Sequence, residues 1–230
     1  MKKNVLITGA SGNLGKATVA RFIKDGYKVI ATVTPGKSLG FSVDGDVQLY
    51  EADLSDEKSV DATINKILEE HATLDAALLL VGGFAPGNIH NTDGASLKKM
   101  FGVNFDTAYF VARPVFQQML KQAHGGRIVF VGSRPALKPT EGKNSLAYAL
   151  SKSLIFKLAD FLNAEGSSKN VTASVIVPST IDTEANRKAM PDKDFTAWVK
   201  SEEIAEAIAF LCAEISSPLR ETVFKLYNRS

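Results

Sequence analysis

The residues of this sequence best suited to chemistry are Tyr148 and Lys152, in the stretch SLAYALSKSL (residues 145–154). They are four residues apart in a segment of helical character, so their side chains lie on one helix face. A carbonyl that accepts a hydride develops negative charge on its oxygen, and a proton donor must meet that charge. A nearby lysine cation lowers the pKa of a tyrosine from its ordinary value of about 10. The pair therefore indicates carbonyl-type reduction, with Tyr148 as the acid and Lys152 as its partner.

Two further polar residues extend this set. The run GRIVFVGS (126–133) predicts a strand that ends at Ser133, whose hydroxyl can hydrogen-bond a substrate oxygen. Asn104, in MFGVNFDT (100–107), falls inside a long predicted helix. A buried amide there can bind water or a backbone carbonyl and extend a proton path to Lys152, although it can equally be a satisfied polar residue of the helix.

A glycine-rich loop follows the first apolar run, in VLITGASGNLGKATVARF (residues 5–22). Two kinds of phosphate-binding loop resemble it. A triphosphate-binding loop needs a glycine, four residues and then Gly-Lys-Ser/Thr. Gly15 and Lys16 are present, but Ala10 stands at the first glycine position and Ala17 at that of the magnesium-binding hydroxyl. The loop therefore favours a dinucleotide.

The three glycines of this loop fit a dinucleotide for separate reasons. Gly9 permits a tight turn, Gly12 lets the backbone approach the pyrophosphate, and Gly15 lets helix and strand pack closely. The N-terminus of the following helix faces the anion. A glycine-rich turn with no ligand remains the alternative. Other expected coenzyme contacts in the loop are Ser11, Asn13 and Leu14.

The end of the second predicted strand bears on the choice of coenzyme. An acidic residue there usually binds the ribose 2′-hydroxyl of NAD. No Asp or Glu occurs between Lys28 and Phe41, whereas Thr34, Lys37 and Ser38 are suited to a 2′-phosphate. We therefore expect NADP(H) in preference to NAD(H). The alternative is that Lys37 is only a solvated loop charge.

Short apolar runs alternate with longer helical stretches along the chain. The predicted strands are 4–8, 28–33, 47–51, 75–81, 126–132, 171–177 and 222–227, and the predicted helices are 13–25, 56–71, 95–123, 145–165 and 201–213. Several runs are apolar throughout, as in strands buried on both faces. This alternation predicts one α/β domain over residues 1–230, doubly wound, with a seven-stranded parallel sheet of order 3-2-1-4-5-6-7 and helices on both faces. Ser55 is expected to cap the second helix.

The composition excludes several classes of function. The 230 residues are 45% hydrophobic and 23% charged, with a net charge of +2, so nothing favours nucleic acid or an anionic membrane as a partner. No run is long enough to span a bilayer or to form a signal peptide. The single cysteine, Cys212, suits a cytoplasmic location and a core position. His71, His90 and His124 have no metal-ligand spacing, so no metal is expected.

Taken together, these motifs resemble the short-chain dehydrogenase/reductase family over the whole chain. Asn104, Ser133, Tyr148 and Lys152 match its catalytic tetrad, and the glycine loop matches its coenzyme loop. The resemblance implies that Lys152 also holds the nicotinamide ribose. It implies further coenzyme contacts from Asp53 and Leu54 beside the adenine, from Gly82 and Gly83, and from Pro178, Ile181 and Thr183 near the nicotinamide.

The substrate side most resembles family members that reduce quinonoid dihydropteridines. The segments VGGFAPGN (81–88) and VPSTIDTEANRKAMPDKDFTAW (177–198) carry this likeness, and a small substrate lid is expected at about 182–200. The substrate is thus expected to be a carbonyl or a dihydropteridine-type small molecule. Phe84, Met190 and Trp198, with Phe195, either roof the substrate site or pack within the lid. Arg134 either binds an anionic substrate or points to solvent.

Two departures leave other functions open. The sequence has LLLVGG, with Val81, Gly82 and Gly83, where the family usually has Asn-Asn-Ala-Gly, and it has Ser179 where the family has glycine. These departures leave room for a non-catalytic NAD(P)-binding sensor, and the glycine loop, with its glycines three residues apart, admits an epimerase or dehydratase of the same fold. The family commonly pairs its two long helices across a dimer axis. That resemblance implies a homodimer or homotetramer through helices 95–123 and 145–165.

Overall fold

A parallel β-sheet forms the centre of the computed structural model, which describes residues 2–229. The strands in chain order are β1 (Asn4–Thr8), β2 (Lys28–Val33), β3 (Val47–Glu51), β4 (Ala76–Leu79), β5 (Gly126–Val131), β6 (Val171–Pro178), β7 (Ile181–Asp182), β8 (Val199–Lys200) and β9 (Val223–Leu226). Seven of them make the sheet in the order β3-β2-β1-β4-β5-β6-β9, all parallel, which confirms the predicted order with β9 as the seventh strand. The short strands β7 and β8 pair only with each other.

Helices cover both faces of this sheet, as predicted. They are α1 (Asn13–Lys24), α2 (Glu57–His71), α3 (Gly94–Phe101), α4 (Thr107–Lys121), α5 (Arg134–Leu137), α6 (Pro139–Gly142), α7 (Leu146–Gly166), α8 (Glu184–Ala189) and α9 (Ser201–Cys212). Side chains of α2, α4 and α7 form one apolar core with the sheet, and those of α1 and α9 form the other. The short helices α5 and α6 were not anticipated by the sequence pattern.

The apolar strands divide their side chains between the two cores. In β1, Leu6 belongs to the core under α2, α4 and α7, while its neighbours Val5 and Ile7 belong to the core under α1 and α9. All three side chains are fully buried. Successive residues of a strand point to opposite faces, so a strand covered on both sides must be apolar at every position. This is why apolar and polar residues do not alternate in these strands.

The predicted helix 95–123 is interrupted. Between α3 and α4 the chain forms a π-helical turn over Gly102–Asp106, so that one widened turn joins two regular helices. Asn104 is buried in the middle of this turn. Such turns are rare and occur frequently at functional sites.

The connection between β2 and β3 contains no helix. Residues 34–46 instead run as a loop, with Leu39, Phe41 and Val43 packed against the core under α1 and α9. The Lys16 ammonium of α1 lies 5.6 Å from the centre of the Phe41 ring. This loop takes the place of a crossover helix and leaves the carboxyl ends of β2 and β3 open.

One predicted cap is wrong. Asp56, and not Ser55, caps α2, because an Asp56 carboxylate oxygen accepts a hydrogen bond from the Lys58 backbone amide at 3.2 Å. Ser55 donates to Asp53 instead. Among residues 2–229, no helix combines the length and the apolar character that crossing a membrane would require.

Candidate active site

The glycine loop lies at the carboxyl end of β1 and is packed too closely for larger side chains. Gly9 has a φ of +66°, which favours glycine. A Cβ on Gly15 would lie 2.2 Å from the Gly9 carbonyl oxygen and 2.7 Å from Ala10 backbone atoms. The Gly12 amide donates to the same Gly9 carbonyl at 3.0 Å. The loop is therefore held tightly, and it presents the N-terminus of α1 with no side-chain cap and no acidic residue in its first turn.

A cavity of about 160 Å³ lies beside this loop, between the carboxyl ends of β1, β2 and β3. Five residues predicted to contact the coenzyme line it, namely Gly9, Ser11, Thr34, Asp53 and Leu54. The side chain of Thr32 also lines it and is 2% exposed, and its hydroxyl oxygen has no hydrogen-bond partner within residues 2–229. A buried polar atom without a partner is costly. The cavity therefore fits a ligand with polar groups, such as the adenosine half of a dinucleotide.

The remaining residues near this cavity form two hydrogen-bonded turns. The Lys37 amide donates to the Thr34 carbonyl at 2.9 Å, but Lys37 itself does not line the cavity. An Asp53 carboxylate oxygen accepts bonds from the Ser55 amide at 2.9 Å and the Ser55 hydroxyl at 2.6 Å. These bonds lower the pKa of Asp53, which stays ionised beside the cavity.

Asn104 clamps the chain after β4 through both ends of its amide. Its carbonyl oxygen accepts from the Gly83 amide, and its Nδ2 donates to the Gly83 carbonyl, each at 3.0 Å. The same Nδ2 lies 3.1 Å from the Ser151 hydroxyl, which donates to the Tyr148 carbonyl at 2.8 Å. The π-helical turn thus connects Gly83 with the helix that carries Tyr148 and Lys152.

Lys152 lies on the other side of Gly82 and is 5% exposed. Its ammonium donates to the Val131 carbonyl, at the end of β5, at 2.8 Å. A Cβ on Gly82 would lie 2.9 Å from the Asn104 oxygen and 3.1 Å from Lys152 Nζ, so only glycine fits between them without movement. Burial lowers the pKa of Lys152 to about 8.

Tyr148 meets Ser133 at the mouth of the sheet. Burial raises the pKa of Tyr148, and the hydrogen bond between its phenol and the Ser133 side chain acts in the opposite direction. The Ser133 oxygen also accepts a 3.4 Å bond from the Ala136 amide, which starts α5. Ser133 thereby lies between β5 and Tyr148, as its place at the end of a strand predicts.

The expected influence of Lys152 on Tyr148 needs correction. We expected the lysine to hold the pKa of the tyrosine below 10, but burial outweighs other effects and raises it. The Lys152 ammonium is engaged with the Val131 carbonyl. Of the tetrad, Ser133 supplies the interaction that opposes the rise.

Phe84 is the predicted substrate residue that reaches Tyr148. Its ring lies edge-on to the Tyr148 ring, with centroids 5.1 Å apart, and its side chain is 65% exposed. Two backbone bonds hold the loop behind it, from Gly87 N to the Asn144 carbonyl at 2.9 Å and from Leu146 N to the Gly87 carbonyl at 2.7 Å. Phe84 is thus an exposed aromatic side chain on a tethered loop.

The predicted lid residues are distributed differently. Thr183 caps α8, its hydroxyl accepting from the Asn186 amide at 3.2 Å. Met190 is half-buried at the end of α8. Trp198 is only 5% exposed and packs against Phe195, with ring centroids 4.8 Å apart. These contacts favour packing within the lid, the other expectation for Trp198, over a place in the substrate site.

Pro178 and Ile181 stand on either side of the turn where the chain leaves the sheet. Pro178 ends β6, and Ile181 begins β7. Between them, the Ser179 hydroxyl donates to the Tyr227 carbonyl at 2.9 Å, which explains a residue larger than glycine at this position. The turn thus lies at the same edge of the sheet as Ser133.

Arg134 is already engaged by protein groups. Its guanidinium lies over the Tyr227 ring at 4.8 Å and pairs with the Glu141 carboxylate at 2.8 Å. Cys212 is buried and reduced, as expected for a core residue, and burial raises its pKa to about 12. Within the described part of the chain, His, Cys, Asp and Glu side chains form no group of three that could hold a metal ion.

Several site residues escaped the sequence analysis. The cavity walls also include Thr32, Val33, Ala52, Ser55, Val81 and Thr107, and Ser151 joins Asn104 to the helix of Tyr148. The sequence does mark Thr32, because it is the one hydroxyl residue inside the apolar run KVIATV. It marks Ser151 more weakly, because Ser151 lies three residues after Tyr148 and so near the same helix face.

Comparisons with known proteins show what the chain is similar to. The family model described as short chain dehydrogenase matches residues 3–194. Dihydropteridine reductase of Dictyostelium discoideum is 29% identical over 214 residues, covering 90% of this chain and 87% of its own. Acetoacetyl-CoA reductase of an Acinetobacter strain is 28% identical over 230 residues, covering 93% and 91%. A solved structure, ElxO with NADP bound, superposes with a TM-score of 0.89 at 25% identity, covering 98% and 97%.

Proposed function

Because the chain belongs to the short-chain dehydrogenase family, and is thus an NAD(P)-dependent oxidoreductase, we propose that it reduces a carbonyl or quinonoid dihydropteridine-type small molecule with Tyr148 as proton donor. The observation that carries this proposal is the hydrogen-bonded pair of Ser133 and Tyr148 beside an exposed Phe84. A hydrogen-bond donor and a proton donor at one point are what a reacting carbonyl oxygen requires.

The coenzyme would lie along the carboxyl edge of the sheet. Gly9, Gly12 and Gly15 would hold the pyrophosphate at the N-terminus of α1, and the cavity with Thr32 and Asp53 would receive the adenosine. When bound, a nicotinamide coenzyme supplies the hydride. Two features support NADP(H) over NAD(H): β2 is followed by Thr34 and not by an acid, and the similar ElxO binds NADP.

The proton would come from the Tyr148 phenol. Because burial raises its pKa, Tyr148 is protonated near neutral pH and is ready to donate. Ser133 would hold the substrate oxygen beside it. Lys152, whose pKa is about 8, would carry the positive charge that favours the phenolate after donation, and Asn104 would keep the chain at Gly82 and Gly83 beside it.

The substrate class follows from the neighbour of Tyr148. Phe84 offers an exposed aromatic face next to the proton donor, which favours a flat or partly apolar substrate. The segment 182–200, with Met190 but without Trp198, is proposed as a lid on this side. Dihydropteridine reductase and acetoacetyl-CoA reductase are both similar to the chain, so a pteridine ring and a linear ketone are the two substrates to compare.

The proposal is tested by following the oxidation of NADH and of NADPH, separately, with quinonoid dihydropteridine, acetoacetyl-CoA and a panel of aldehydes, ketones and quinones. We expect turnover with at least one of them and faster turnover with NADPH. A protein that binds NADPH tightly but oxidises it with none of them would contradict the proposal and favour the sensor. A substrate that is converted while the total amount of reduced coenzyme stays constant would favour the epimerase or dehydratase.

We also propose a homodimer or homotetramer through α4 and α7. Three large apolar side chains on these helices are exposed, Tyr109 (39%), Leu150 (43%) and Phe161 (72%). Sedimentation of the wild type is expected to give two or four chains, and Phe161→Glu is expected to shift the mass downwards. A wild type that sediments as a single chain at micromolar concentration would contradict this assembly.

A further inference from the structure

The turn after β2 has an acidic neighbour that the order of the sequence hides. The turn is closed by the bond from the Lys37 amide to the Thr34 carbonyl. Between them, the Gly36 amide donates to Oε2 of Glu51 at 3.0 Å. Glu51 is the last residue of β3, fifteen positions further along the chain.

The sheet register explains this contact. β2 and β3 are adjacent and parallel, and Val33 is paired with Glu51. The pairing continues to the end of both strands, because the Ala52 amide donates to the Val33 carbonyl at 3.0 Å. The carboxyl ends of the two strands therefore meet at one edge, and an acid at the end of β3 reaches the turn that follows β2. No helix intervenes, since residues 34–46 form a loop.

We propose that Glu51 is a specificity residue that limits the affinity of this site for the 2′-phosphate of NADP(H). The proposal rests on the coenzyme site proposed above, in which Thr34 and Ala52 both line the adenosine cavity. Backbone amides of a turn are donors that a bound anion uses. Glu51 already accepts from one of them, and its negative charge repels a phosphate placed at the turn.

Positive charge near the turn acts against Glu51. Lys37 belongs to the turn and is exposed, and Lys16 lies over Phe41 in the same loop. Asp53, an acid that lines the cavity, accepts hydrogen bonds from Ser55 in its own turn. The turn thus combines the positive charge of the lysines with the negative charge of Glu51. It therefore discriminates less between NADPH and NADH than a basic turn without an acid would. Removing the charge of Glu51 shifts the balance towards NADPH.

Binding of two fragments measures this effect without catalysis. AMP represents the common adenosine half of both coenzymes, and 2′,5′-ADP, which is adenosine 2′,5′-bisphosphate, differs from it only by the added 2′-phosphate. By calorimetry, Glu51→Gln is expected to bind 2′,5′-ADP about tenfold more tightly than the wild type, with the affinity for AMP unchanged. The gain should largely disappear in about 1 M salt, where the screening length falls to about 3 Å.

Glu69→Gln is the matched control, because Glu69 is an exposed carboxylate of α2 and the variant has the same net charge. The role of Glu51 would be overturned if both variants gained the same affinity for 2′,5′-ADP, if Glu51→Gln changed the affinity for both fragments equally, or if its affinity for 2′,5′-ADP did not change. Thermal unfolding identifies any variant that fails to fold, and Glu51→Asp then tests whether a retained charge keeps the wild-type ratio. A wild type that binds neither fragment would instead overturn the coenzyme site itself.

Discussion

The ring of Phe84 stands edge-on to the ring of Tyr148, with centroids 5.1 Å apart and planes inclined at 72°. This arrangement places an aromatic face, 65% exposed, beside the phenol that would donate the proton. The Gly83 amide donates to the side-chain oxygen of Asn104, and the Gly87 amide donates to the Asn144 carbonyl, so the loop backbone is held on both sides of Phe84. The Phe84 ring is therefore an exposed wall of the proposed substrate site, carried on a tethered backbone.

Tyr148→Phe removes the proton donor and keeps the ring that packs on Phe84. We expect kcat to fall about 10²–10⁴-fold, the usual contribution of a general acid, with the coenzyme dissociation constant unchanged. Stopped-flow turnover and calorimetry with NADPH measure the two quantities. A variant with full activity would refute the role of Tyr148.

Phe84→Ala is expected to weaken substrate binding and leave the fold intact. The side chain is mostly exposed, so its loss costs little stability, but a stacked substrate loses an aromatic contact and KM should rise roughly 3–10-fold. Ile89→Ala is the control, because Ile89 is 74% exposed in the same loop region. Steady-state kinetics of both variants with an aromatic and a linear substrate show whether the rise in KM depends on the aromatic contact. Equal KM values in both variants would contradict the assignment.

The buried Lys152 is expected to make the stability of the protein depend on pH. Burial lowers its pKa from 10.5 to about 8, so between these values the unfolded chain binds a proton that the folded chain does not. The stability that the neutral form contributes is fully present above pH 10.5, falls progressively between pH 10.5 and about 8, and is absent below that range. The change is up to about 3 kcal/mol.

Urea unfolding of the wild type and of Lys152→Met across this range measures the effect. The wild type should gain stability relative to the variant as the pH rises from about 8 to 10. Cys212 and Tyr27, whose pKa values burial raises to about 12, are common to both proteins and cancel in the difference. If the free energy of unfolding of the two proteins changes with pH in parallel, the pKa of Lys152 is not lowered.

Gly15→Ala is expected to damage the coenzyme loop. The added Cβ would lie 2.2 Å from the Gly9 carbonyl oxygen, and backbone must move to admit it, at a cost of about 1–3 kcal/mol. The affinity for NADPH should fall as well, because the displaced backbone belongs to the proposed coenzyme loop. In Gly94→Ala, the control, the added Cβ meets no described atom within 4 Å. Thermal unfolding and fluorescence titration compare the two, and a Gly15→Ala protein that binds NADPH like the wild type would contradict the close packing.

Much of the fold was predictable because its signals are local. Runs such as DAALLLV are apolar at every position, and only strands covered on both faces need that pattern. The spacing of Tyr148 and Lys152 likewise depends only on the helix period. The pattern of strands and helices, with the rule for right-handed crossovers, then leads to the observed strand order.

Other features depend on neighbours that are distant in sequence. Glu51 reaches Gly36 only because β2 and β3 are in register, and the sequence shows no acid near that turn. The pKa of Tyr148 depends on how deeply its helix is buried, which spacing alone does not contain. Trp198 was a candidate for the substrate site on its residue type, but it packs on Phe195 instead.

The π-helical turn at Gly102–Asp106 amounts to one residue more than a regular helix would use. An α-helix advances about 100° for each residue, so an extra residue in a regular helix would rotate everything beyond it by that angle. The widened turn absorbs the extra residue, so Asn104 stays at Gly83 while the buried face of α4, with Val111, Val115 and Met119, still meets the sheet. A regular α-helix with the same number of residues would have to give up one of these two contacts.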